Sequence, residues 1–429
     1  MSKKVIIVTY YWPPSGGGGV QRWLKFVKYL PQFGWEPIVF TPENPDFHLQ
    51  DHSLLKDVPS HVEVIRFPIW EPTAKLKSTH TKQGVVAKDQ SLSLIGRLMI
   101  WLRGNLFVPD PKRFWVRPSV DFLSNYIIQH QVDRVITTGP PHSMHLIGLG
   151  LKKKLNIQWI ADFRDPWSDW DILGELKTGQ FAMTLHRNLE RKVMQAANVV
   201  LACTPAMARL FERKDKTYRV KMITNGVDET DFENVQPVGS LRKFRITHMG
   251  LLNDMRNPAM LWEVLEELCV ENEAFAQSLE IFLSGAISDT VLQRIQGYEQ
   301  LAQRLIVRAY VAHDEVIRQY LQSSVLLLLM NDSTNADLLI PGKLFEYLYA
   351  ERDILAFGSP QSDVNQILLD AGLHEVLSYQ ERQVLKSRIL QSYETFLRGE
   401  QSVSVNNKEQ WTRKKLTGDL VEILDGLDG

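Results

Sequence analysis

Two series of short β-rich runs, each alternating with stretches of helical spacing, constrain the fold of this chain more than any other feature. The runs of the first series are VIIV (5–8), PIVF (37–40), VEVIRF (62–67), DRVITT (133–138), QWIAD (158–162) and NVVLAC (198–203). Helical spacing separates most of them, at 18–32, 118–130, 142–154 and 178–196. Strands that alternate with helices predict a parallel sheet covered by helices. The first half is therefore predicted to form a Rossmann-like α/β domain.

The same alternation begins again after residues 221–240, which are rich in Asn, Asp, Gly and Pro and lack periodicity. The second series of β-rich runs is FRITHMG (244–250), LEIFLSG (279–285), RLIVRAY (304–310), SVLLLLM (324–330) and DILAFG (353–358). Helical spacing is found near 257–272, 313–322 and 341–350. We therefore predict an N-terminal domain over 1–235, a second Rossmann-like domain over 240–400 and a C-terminal helix over 401–429. Leu416, Leu420, Ile423 and Leu424 of that helix are apolar and require a surface to pack on.

Composition and charge exclude several classes of protein. A formal net charge of −1 argues against a protein that coats nucleic acid through bulk positive charge. Cys203 and Cys269 match no zinc or redox spacing, which favours a reducing compartment. No secretory signal pattern is visible, and the longest apolar runs are far shorter than the roughly 18 residues that span a bilayer. We expect a cytoplasmic protein that is soluble or peripheral to a membrane.

The first strand runs into a glycine loop, Gly16 to Gly19, and then into a helix. Such a loop lets backbone amides approach a phosphate, and the helix N-terminus favours negative charge. Gln21 stands where a dinucleotide fingerprint requires its third glycine, and Thr41 rather than an acid follows the second strand. Val20-Gln21-Arg22 also replaces the Gly-Lys-Ser/Thr of nucleotide-triphosphate loops. A tight strand-helix junction without a ligand is the alternative interpretation.

Five segments in order resemble bacterial retaining glycosyltransferases of family 4. They are YYWPPSGGGGVQRWLKFVKYLPQFGWEPIVFTP (10–42), TTGPPHS (137–143) with ADFRDPW (161–167), NGVD (225–228), HMGLLNDMRNP (248–258) and IPGKLFEYLYAERDILAFG (340–358). This resemblance covers nearly the whole chain. It implies the GT-B architecture, in which two Rossmann-like domains face each other across a cleft that holds the active site. It also implies that the C-terminal helix, 401–429, crosses back to pack on the first domain. It also implies a nucleoside-diphosphate sugar as co-substrate, with no cofactor and no metal.

The resemblance implies a donor site on the second domain. Gly250 begins its first loop, Arg256 matches the basic position that faces the diphosphate, and Lys343 is a second cation. Glu346 matches the second glutamate of the Glu-x7-Glu pattern, which hydrogen-bonds the nucleotide ribose. Leu338 replaces the first glutamate, so Asp337 or the loop around 331–335 has to supply that function if it is kept. The alternatives are surface roles for Arg256 and Glu346.

The densest chemical cluster is DFRDPW (162–167), just past a predicted strand end, where open α/β sheets bind ligands. We predict Asp162, Arg164 and Asp165 as catalytic residues, with Asp162 the first choice. An internal ion-pair turn is the alternative.

Two histidines and one acidic triplet complete the candidates. His142 and His145 are candidates for contacts to the acceptor or to phosphate, although a histidine at a helix start is more often structural. Asp169 and Asp171 form an Asp-x-Asp triplet, which is a weak metal signal in a two-Rossmann chain, so no metal site is predicted.

Residues 93–118 combine Trp- and Leu-rich helical sequence with several arginines and lysines. This mixture suits the headgroup layer of an anionic membrane. An amphipathic helix packed on its own domain is the alternative. If the segment contacts membrane, the acceptor would be a lipid-linked saccharide at the cytoplasmic face.

Together these features predict a hexosyltransferase-type retaining enzyme that transfers a sugar from a nucleoside-diphosphate sugar to a glycan, in surface polysaccharide biosynthesis. Two other hypotheses stay open. One is a nucleotide-sugar epimerase of the same fold, and the other is a catalytically silent subunit that binds a glycan or a partner enzyme.

Overall fold

The computed structural model describes residues 3–47, 49–72, 94–233, 235, 241–309, 311, 313–331, 335–400 and 402–428. The chain divides into two units. The first contains residues 1–224 together with 413–429, and the second contains residues 225–412. The sequence-based boundaries lie at 235–240 and at 400–401, so the chain changes unit eleven residues before the first of these and twelve after the second.

The first unit is built on a seven-stranded sheet in which every neighbouring pair is parallel. Its strands are β1 (Lys3–Val8), β2 (Trp35–Pro42), β3 (Glu63–Phe67), β4 (Arg134–Gly139), β5 (Gln158–Phe163), β6 (Val199–Ala202) and β7 (Val220–Met222). Their order is β3-β2-β1-β4-β5-β6-β7, so the direction of winding reverses between β1 and β4. Strand β7 begins just before residues 221–240, which the sequence assigned entirely to a linker.

Helices connect the strands of this sheet. They are α1 (Gly18–Tyr29), α2 (Leu94–Leu106), α3 (Arg113–His130), α4 (Ser143–Lys154), α5 (Ile172–Glu175), α6 (Gln180–Ala196) and α7 (Pro205–Lys214). Residues Val5 to Val8 of β1 are fully buried, as expected for a parallel strand in the middle of a sheet. Thr204 caps α7 by accepting a hydrogen bond from Met207 N, and Pro205 occupies the first helical position.

The second unit has a five-stranded parallel sheet in the order β10-β9-β8-β11-β12. Its strands are β8 (Phe244–Met249), β9 (Leu279–Ser284), β10 (Leu305–Arg308), β11 (Val325–Leu329) and β12 (Asp353–Phe357). Its helices are α8 (Thr230–Glu233), α9 (Ala259–Glu271), α10 (Glu273–Ser278), α11 (Asp289–Gln296), α12 (Glu299–Ala302), α13 (His313–Leu321), α14 (Lys343–Ala350), α15 (Asp363–Asp370) and α16 (Arg382–Leu397). Here the winding reverses between β8 and β11.

The last helix, α17 (Arg413–Asp425), belongs to the first unit. Its buried residues Leu416, Leu420 and Leu424 join the core that also contains α1 and β1. The apolar side of α17 is therefore buried against the first unit. Among the described residues, no helix combines the length and apolar character that crossing a membrane requires.

A buried ion pair between Arg22 of α1 and Asp162 of β5 ties the first unit together. Arg22 Nη2 lies 2.9 Å from Asp162 Oδ1, and both side chains are at most 1% exposed. Trp23 Nε1 and Thr138 Oγ1 also donate to the Asp162 carboxylate, at 2.7 and 2.8 Å. Arg22 further donates to the carbonyls of Ile223 and Thr224, where the chain leaves the unit. Every charged group of the pair is therefore satisfied inside the core.

We expect Asp162→Asn to lower the free energy of unfolding of the first unit by about 3–5 kcal/mol at pH 7, because it leaves the Arg22 charge buried without its partner. Burial by itself raises the pKa of Asp162, but Arg22 and the hydrogen bonds from Arg22, Thr138 and Trp23 outweigh it and hold the pKa below its usual value. The stabilisation is thus fully present above the unfolded pKa of about 4 and is lost as pH falls through the lowered native pKa. Denaturation monitored by tryptophan fluorescence measures both effects.

The matched control is Asp121→Asn, which removes an exposed ion pair with Lys154 on the same unit. Exposed pairs contribute little, so this variant should unfold almost as the parent protein does. Equal effects of the two substitutions would contradict the central role assigned to the buried pair.

Candidate functional site

Three loops of the first unit lie at the carboxyl ends of neighbouring strands. The glycine loop follows β1, the segment from Pro140 to His142 follows β4, and Arg164 and Asp165 follow β5. Because β1 and β4 flank the reversal in strand order, their carboxyl ends form the crevice in which open α/β sheets bind ligands. The fold thus brings the glycine loop next to two segments that lie more than 100 residues further along the chain.

The glycine loop is held against the other two loops by Arg164. Its Nη1 atom donates to the carbonyl of Gly19 at 2.6 Å, and its Nη2 atom donates to the carbonyl of Pro140. A Cβ at Gly19 would lie 3.2 Å from Arg164 Nη1 and 3.4 Å from the Tyr11 ring, so a larger residue there would have to displace Arg164. Gly17 has a φ of +82°, which also favours glycine. The arginine of DFRDPW therefore orients the loops.

The two carboxylates of DFRDPW differ in their surroundings. Asp162 is fully buried and saturated with hydrogen bonds, which favours a structural role over the catalytic role that the sequence suggested. Asp165 is half-buried, and within the described residues its carboxylate has no hydrogen-bond or ion-pair partner. Burial raises its pKa, opposed by Arg164. Asp165 is thus the member of the pair that is available to bind a substrate.

His142 and His145 lie at the start of α4 and are nearly inaccessible to solvent. The His142 ring stacks on Trp167 with 4.8 Å between the ring centroids, and His145 stacks on Phe163 at 4.3 Å. Burial lowers the pKa of His142 well below its ordinary value and that of His145 to about 3. Both rings are neutral at physiological pH, so neither supplies positive charge to a phosphate. Their burial favours the structural alternative.

The four predicted donor-site residues of the second unit come together at the reversal between β8 and β11. Gly250, at the end of β8, has a φ of +130°, and a Cβ there would lie 3.1 Å from Lys343 Nζ. Lys343 begins α14 and donates to the carbonyl of Met249 at 2.8 Å. Arg256 Nε lies 2.5 Å from Oδ1 of Asn331, which follows β11. No carboxylate forms an ion pair with either cation in the part of the chain that the structure describes.

Burial lowers the pKa of Lys343 to about 7, with Arg256 acting in the same direction and Glu346 against it. Glu346 stands one turn further along α14 and accepts a hydrogen bond from Tyr320 at 3.0 Å. Asp337, the possible substitute for the missing glutamate, accepts a hydrogen bond from Ser359 at 3.3 Å. The other suggested substitute, the loop at 331–335, lies outside the described residues at 332–334. Arg256 and Lys343 are thus two half-buried cations near each other, with Glu346 nearby but no ion-pair partner among the described residues.

Sequence reasoning missed several residues of these sites. Gly285 ends β9, and a Cβ there would lie 2.5 Å from the carbonyl oxygen of Gly250, so the two glycines allow two loops to touch. Asn331 orients Arg256, and Arg22 anchors the loop helix. Only Gly285 carried a signal in the sequence, because a glycine follows the first two strands of the second series at the same place. In the described part of the chain, no three His, Cys, Asp or Glu side chains are arranged to hold a metal ion.

Solved structures define the class of fold. Sucrose-phosphate synthase from Thermosynechococcus elongatus is 11% identical, with 99% of each chain covered and a TM-score of 0.62. WaaG, a glycosyltransferase involved in lipopolysaccharide biosynthesis, is 13% identical over 98% of this chain and 100% of its own, with a TM-score of 0.58. Anabaena Alr3699/HepE, solved with UDP and glucose, is 14% identical over 99% of both chains, with a TM-score of 0.56. The chain therefore has the GT-B fold, as predicted.

The family follows from the sequence model that the chain matches. The model of Glycosyltransferase Family 4 covers residues 16–231, just over half of the 429 residues. The protein belongs to that family, which confirms the resemblance recognised in the sequence. A search of curated proteins found no match.

We expect Lys343→Met to leave the ligand-free protein at least as stable as the parent at pH 6, since the variant removes a charge that burial disfavours. The native pKa of about 7 lies below the unfolded value of about 10.4. The cost of the charge is therefore largest below pH 7 and disappears as pH rises toward the unfolded pKa. Melting temperatures between pH 6 and pH 9 test this dependence.

Lys386→Met is the control, because Lys386 is paired with Glu267 and Glu271 at the surface of the same unit. Its melting temperature should depend on pH as that of the parent does. A Lys343→Met variant that is clearly less stable at pH 6 would show that the lysine is a structural cation.

Proposed function

We propose that the protein is a retaining, hexosyltransferase-type enzyme that transfers a sugar from a nucleoside-diphosphate sugar to a glycan acceptor. The acceptor is proposed to be lipid-linked and the pathway to be surface polysaccharide assembly at the cytoplasmic side of the cell membrane. No metal or organic cofactor enters this proposal.

The observation that carries the proposal is the pair of cations in the second unit. Arg256 lies close enough to Lys343 to disfavour the charge of the lysine, and both side chains are half-buried. Such an arrangement is costly without an anion, and a diphosphate carries the charge that would relieve it. Gly250 and Gly285 allow the loops after β8 and β9 to touch, and the absence of a side chain at Gly250 lets Lys343 Nζ approach the backbone there.

The chemistry of transfer requires this charge. When the bond between the sugar and the diphosphate breaks, negative charge develops on the departing nucleoside diphosphate. Fixed donors and cations stabilise that charge in the transition state at little cost in reorganisation. Lys343 and Arg256 would meet the diphosphate, and Glu346 would accept hydrogen bonds from the ribose, as the family resemblance implies.

The acceptor residues are proposed to lie on the first unit. Asp165 is the carboxylate available to orient an acceptor hydroxyl or to receive its proton, and Arg164 holds the glycine loop beside it. We assign Asp162 to positioning, because its oxygens are already engaged by Arg22, Trp23 and Thr138.

Two of the solved structures support the choice of substrates. HepE was solved with UDP and glucose, which fits a nucleotide-sugar donor for a chain of the same fold. WaaG acts in lipopolysaccharide biosynthesis, which fits a glycan acceptor at a membrane. The exposed apolar and basic residues of α2 and of the segment that follows it support peripheral contact with an anionic membrane.

Binding of UDP and GDP, and of their sugars, tests the donor site. We expect one nucleotide series to raise the melting temperature, and Arg256→Ala to weaken its binding about tenfold to a hundredfold, because a charge-assisted hydrogen bond is lost. Glu346→Ala should weaken the binding of nucleotides but not the binding of inorganic diphosphate, since Glu346 is assigned to the ribose. Thermal shift and calorimetry measure both effects.

Arg382→Ala is the matched control, an exposed arginine of the same unit that pairs with Glu263 and Glu267. It should bind nucleotides as the parent does. Unchanged binding in both Arg256→Ala and Glu346→Ala would remove the donor-site assignment. Formation of an epimerised product from the donor alone would show that the reaction is epimerisation and not transfer.

We expect Asp165→Asn to reduce transfer of labelled sugar to lipid extracts about a hundredfold or more, as loss of a general acid-base group does. The melting temperature of Asp165→Asn should hardly change, because the Asp165 carboxylate has no hydrogen-bond or ion-pair partner among the described residues. Asp162→Asn is the comparison variant, and its main expected effect is a lower free energy of unfolding of the first unit. Full activity in Asp165→Asn would contradict the assignment.

A further inference from the structure

An exposed aromatic patch lies on the first unit, outside the glycine loop. Trp70 is 65% exposed and contacts Phe114, which is 42% exposed, with 5.0 Å between the ring centroids. Phe107 lies 6.3 Å from Phe114, and Leu106 next to it is 59% exposed. We call Trp70, Leu106, Phe107 and Phe114 the aromatic patch. Large apolar side chains exposed together mark a contact surface.

The charge around the patch identifies an anionic lipid bilayer as its occupant. Asp110 is the sole acidic residue between 94 and 120, and its carboxylate accepts hydrogen bonds from Ser143. The exposed arginines of the same stretch are Arg97, Arg103, Arg113 and Arg117. Leu98 and Trp101, both exposed, are three residues apart on α2 and so share a side of that helix. Aromatic and aliphatic side chains among arginines suit the headgroup layer of an anionic membrane.

The inner side of the same segment contacts the candidate acceptor site. Asp110 accepts hydrogen bonds from Ser143 N at 2.9 Å and Ser143 Oγ at 2.7 Å, at the first residue of α4. Trp115 Nε1 donates to the carbonyl of Pro68 at 3.0 Å, which ties the start of α3 to the strand end that carries Trp70. The segment that carries Phe107 and Phe114 therefore presents the aromatic patch on its outer side. On its inner side it contacts the loop after β4 through Asp110.

A chain of buried contacts continues from this segment to the glycine loop. Lys112 Nζ lies 3.6 Å from Glu71 Oε1, and Tyr10 OH donates to the same oxygen at 2.6 Å. The Tyr10 and Tyr11 rings meet edge to face at 5.0 Å. The Arg164 guanidinium lies over Tyr11, 5.6 Å from the ring centroid, and binds the Gly19 carbonyl.

We propose that the aromatic patch docks on an anionic lipid bilayer, and that docking steadies the glycine loop through Lys112, Glu71 and Tyr10. The membrane immobilises Trp70, which is next to Glu71 in the chain, and Phe114, which is two residues from Lys112. Tyr10 transmits this restraint to Tyr11 and the loop. This inference extends the proposed function, since it makes the acceptor site competent where a membrane-borne acceptor is found.

Docking is tested with vesicles of phosphatidylglycerol and phosphatidylcholine in a sedimentation assay of the full chain. The parent should bind mixed vesicles but not pure phosphatidylcholine, and raised salt should weaken binding. Trp70→Ala combined with Phe114→Ala should weaken binding about tenfold or more. Val270→Ala, an exposed apolar residue of the second unit, is the control and should bind as the parent does. No binding by the parent, or unchanged binding by the double variant, overturns the docking surface.

Transmission is tested by hydrogen exchange of the peptide that covers residues 9–19. Mixed vesicles should slow its exchange about fivefold or more in the parent, a size typical of coupling between sites. Tyr10→Phe should bind vesicles normally and lose this slowing, because it lacks the hydroxyl that donates to Glu71. Tyr126→Phe removes a comparable hydrogen bond to Glu63 and should keep the slowing.

The outcomes separate this inference from the proposed function. Slowing that persists in Tyr10→Phe, or that is absent from a vesicle-bound parent, overturns the transmission. Nucleotide binding to the second unit is measured without vesicles, so its failure would refute the donor site and leave the vesicle results standing.

Discussion

The buried ion pair between Arg22 and Asp162 is the interaction on which the first unit depends. It joins the helix after the glycine loop to the central sheet and to the carbonyls where the chain leaves the unit. Two charges are tolerated in this core because each is met by an opposite charge and by further hydrogen bonds. The glycine loop has its position because the helix that follows it cannot shift without breaking this network.

The second unit shows the opposite electrostatic arrangement at the equivalent edge of its sheet. Arg256 and Lys343 are half-buried and have no ion-pair partner in the described residues. Burial, with Arg256 acting in the same direction, lowers the pKa of Lys343 to about 7. Saturated charges stabilise a fold, whereas unsaturated charges of one sign attract a ligand. The contrast between the two edges separates the structural carboxylate of the first unit from the anion site proposed in the second.

Much of the fold and of the candidate sites could be predicted from the sequence. What could not be predicted was missed for physical reasons. The alternation of strands and helices and the five motifs led to the GT-B fold and to Gly250, Arg256, Lys343 and Glu346 as candidates. The sequence placed Asp162 before Asp165 as the catalytic candidate, because both are acids within one loop and the burial that distinguishes them depends on residues from other elements. The pairing of Arg22 with Asp162 and that of Asn331 with Arg256 were not predicted, because the partners lie 140 and 75 residues apart.

The sequence by itself determined the class of fold, because the periods of strand and helix and the glycines that end strands are local properties of the chain. It also determined which residue types meet at each strand end. Only the tertiary structure decided which charges are neutralised and which have no ion-pair partner among the described residues. Burial, hydrogen-bond saturation and the approach of Lys343 to the Met249 carbonyl arise between segments distant in sequence, where local pattern carries no information.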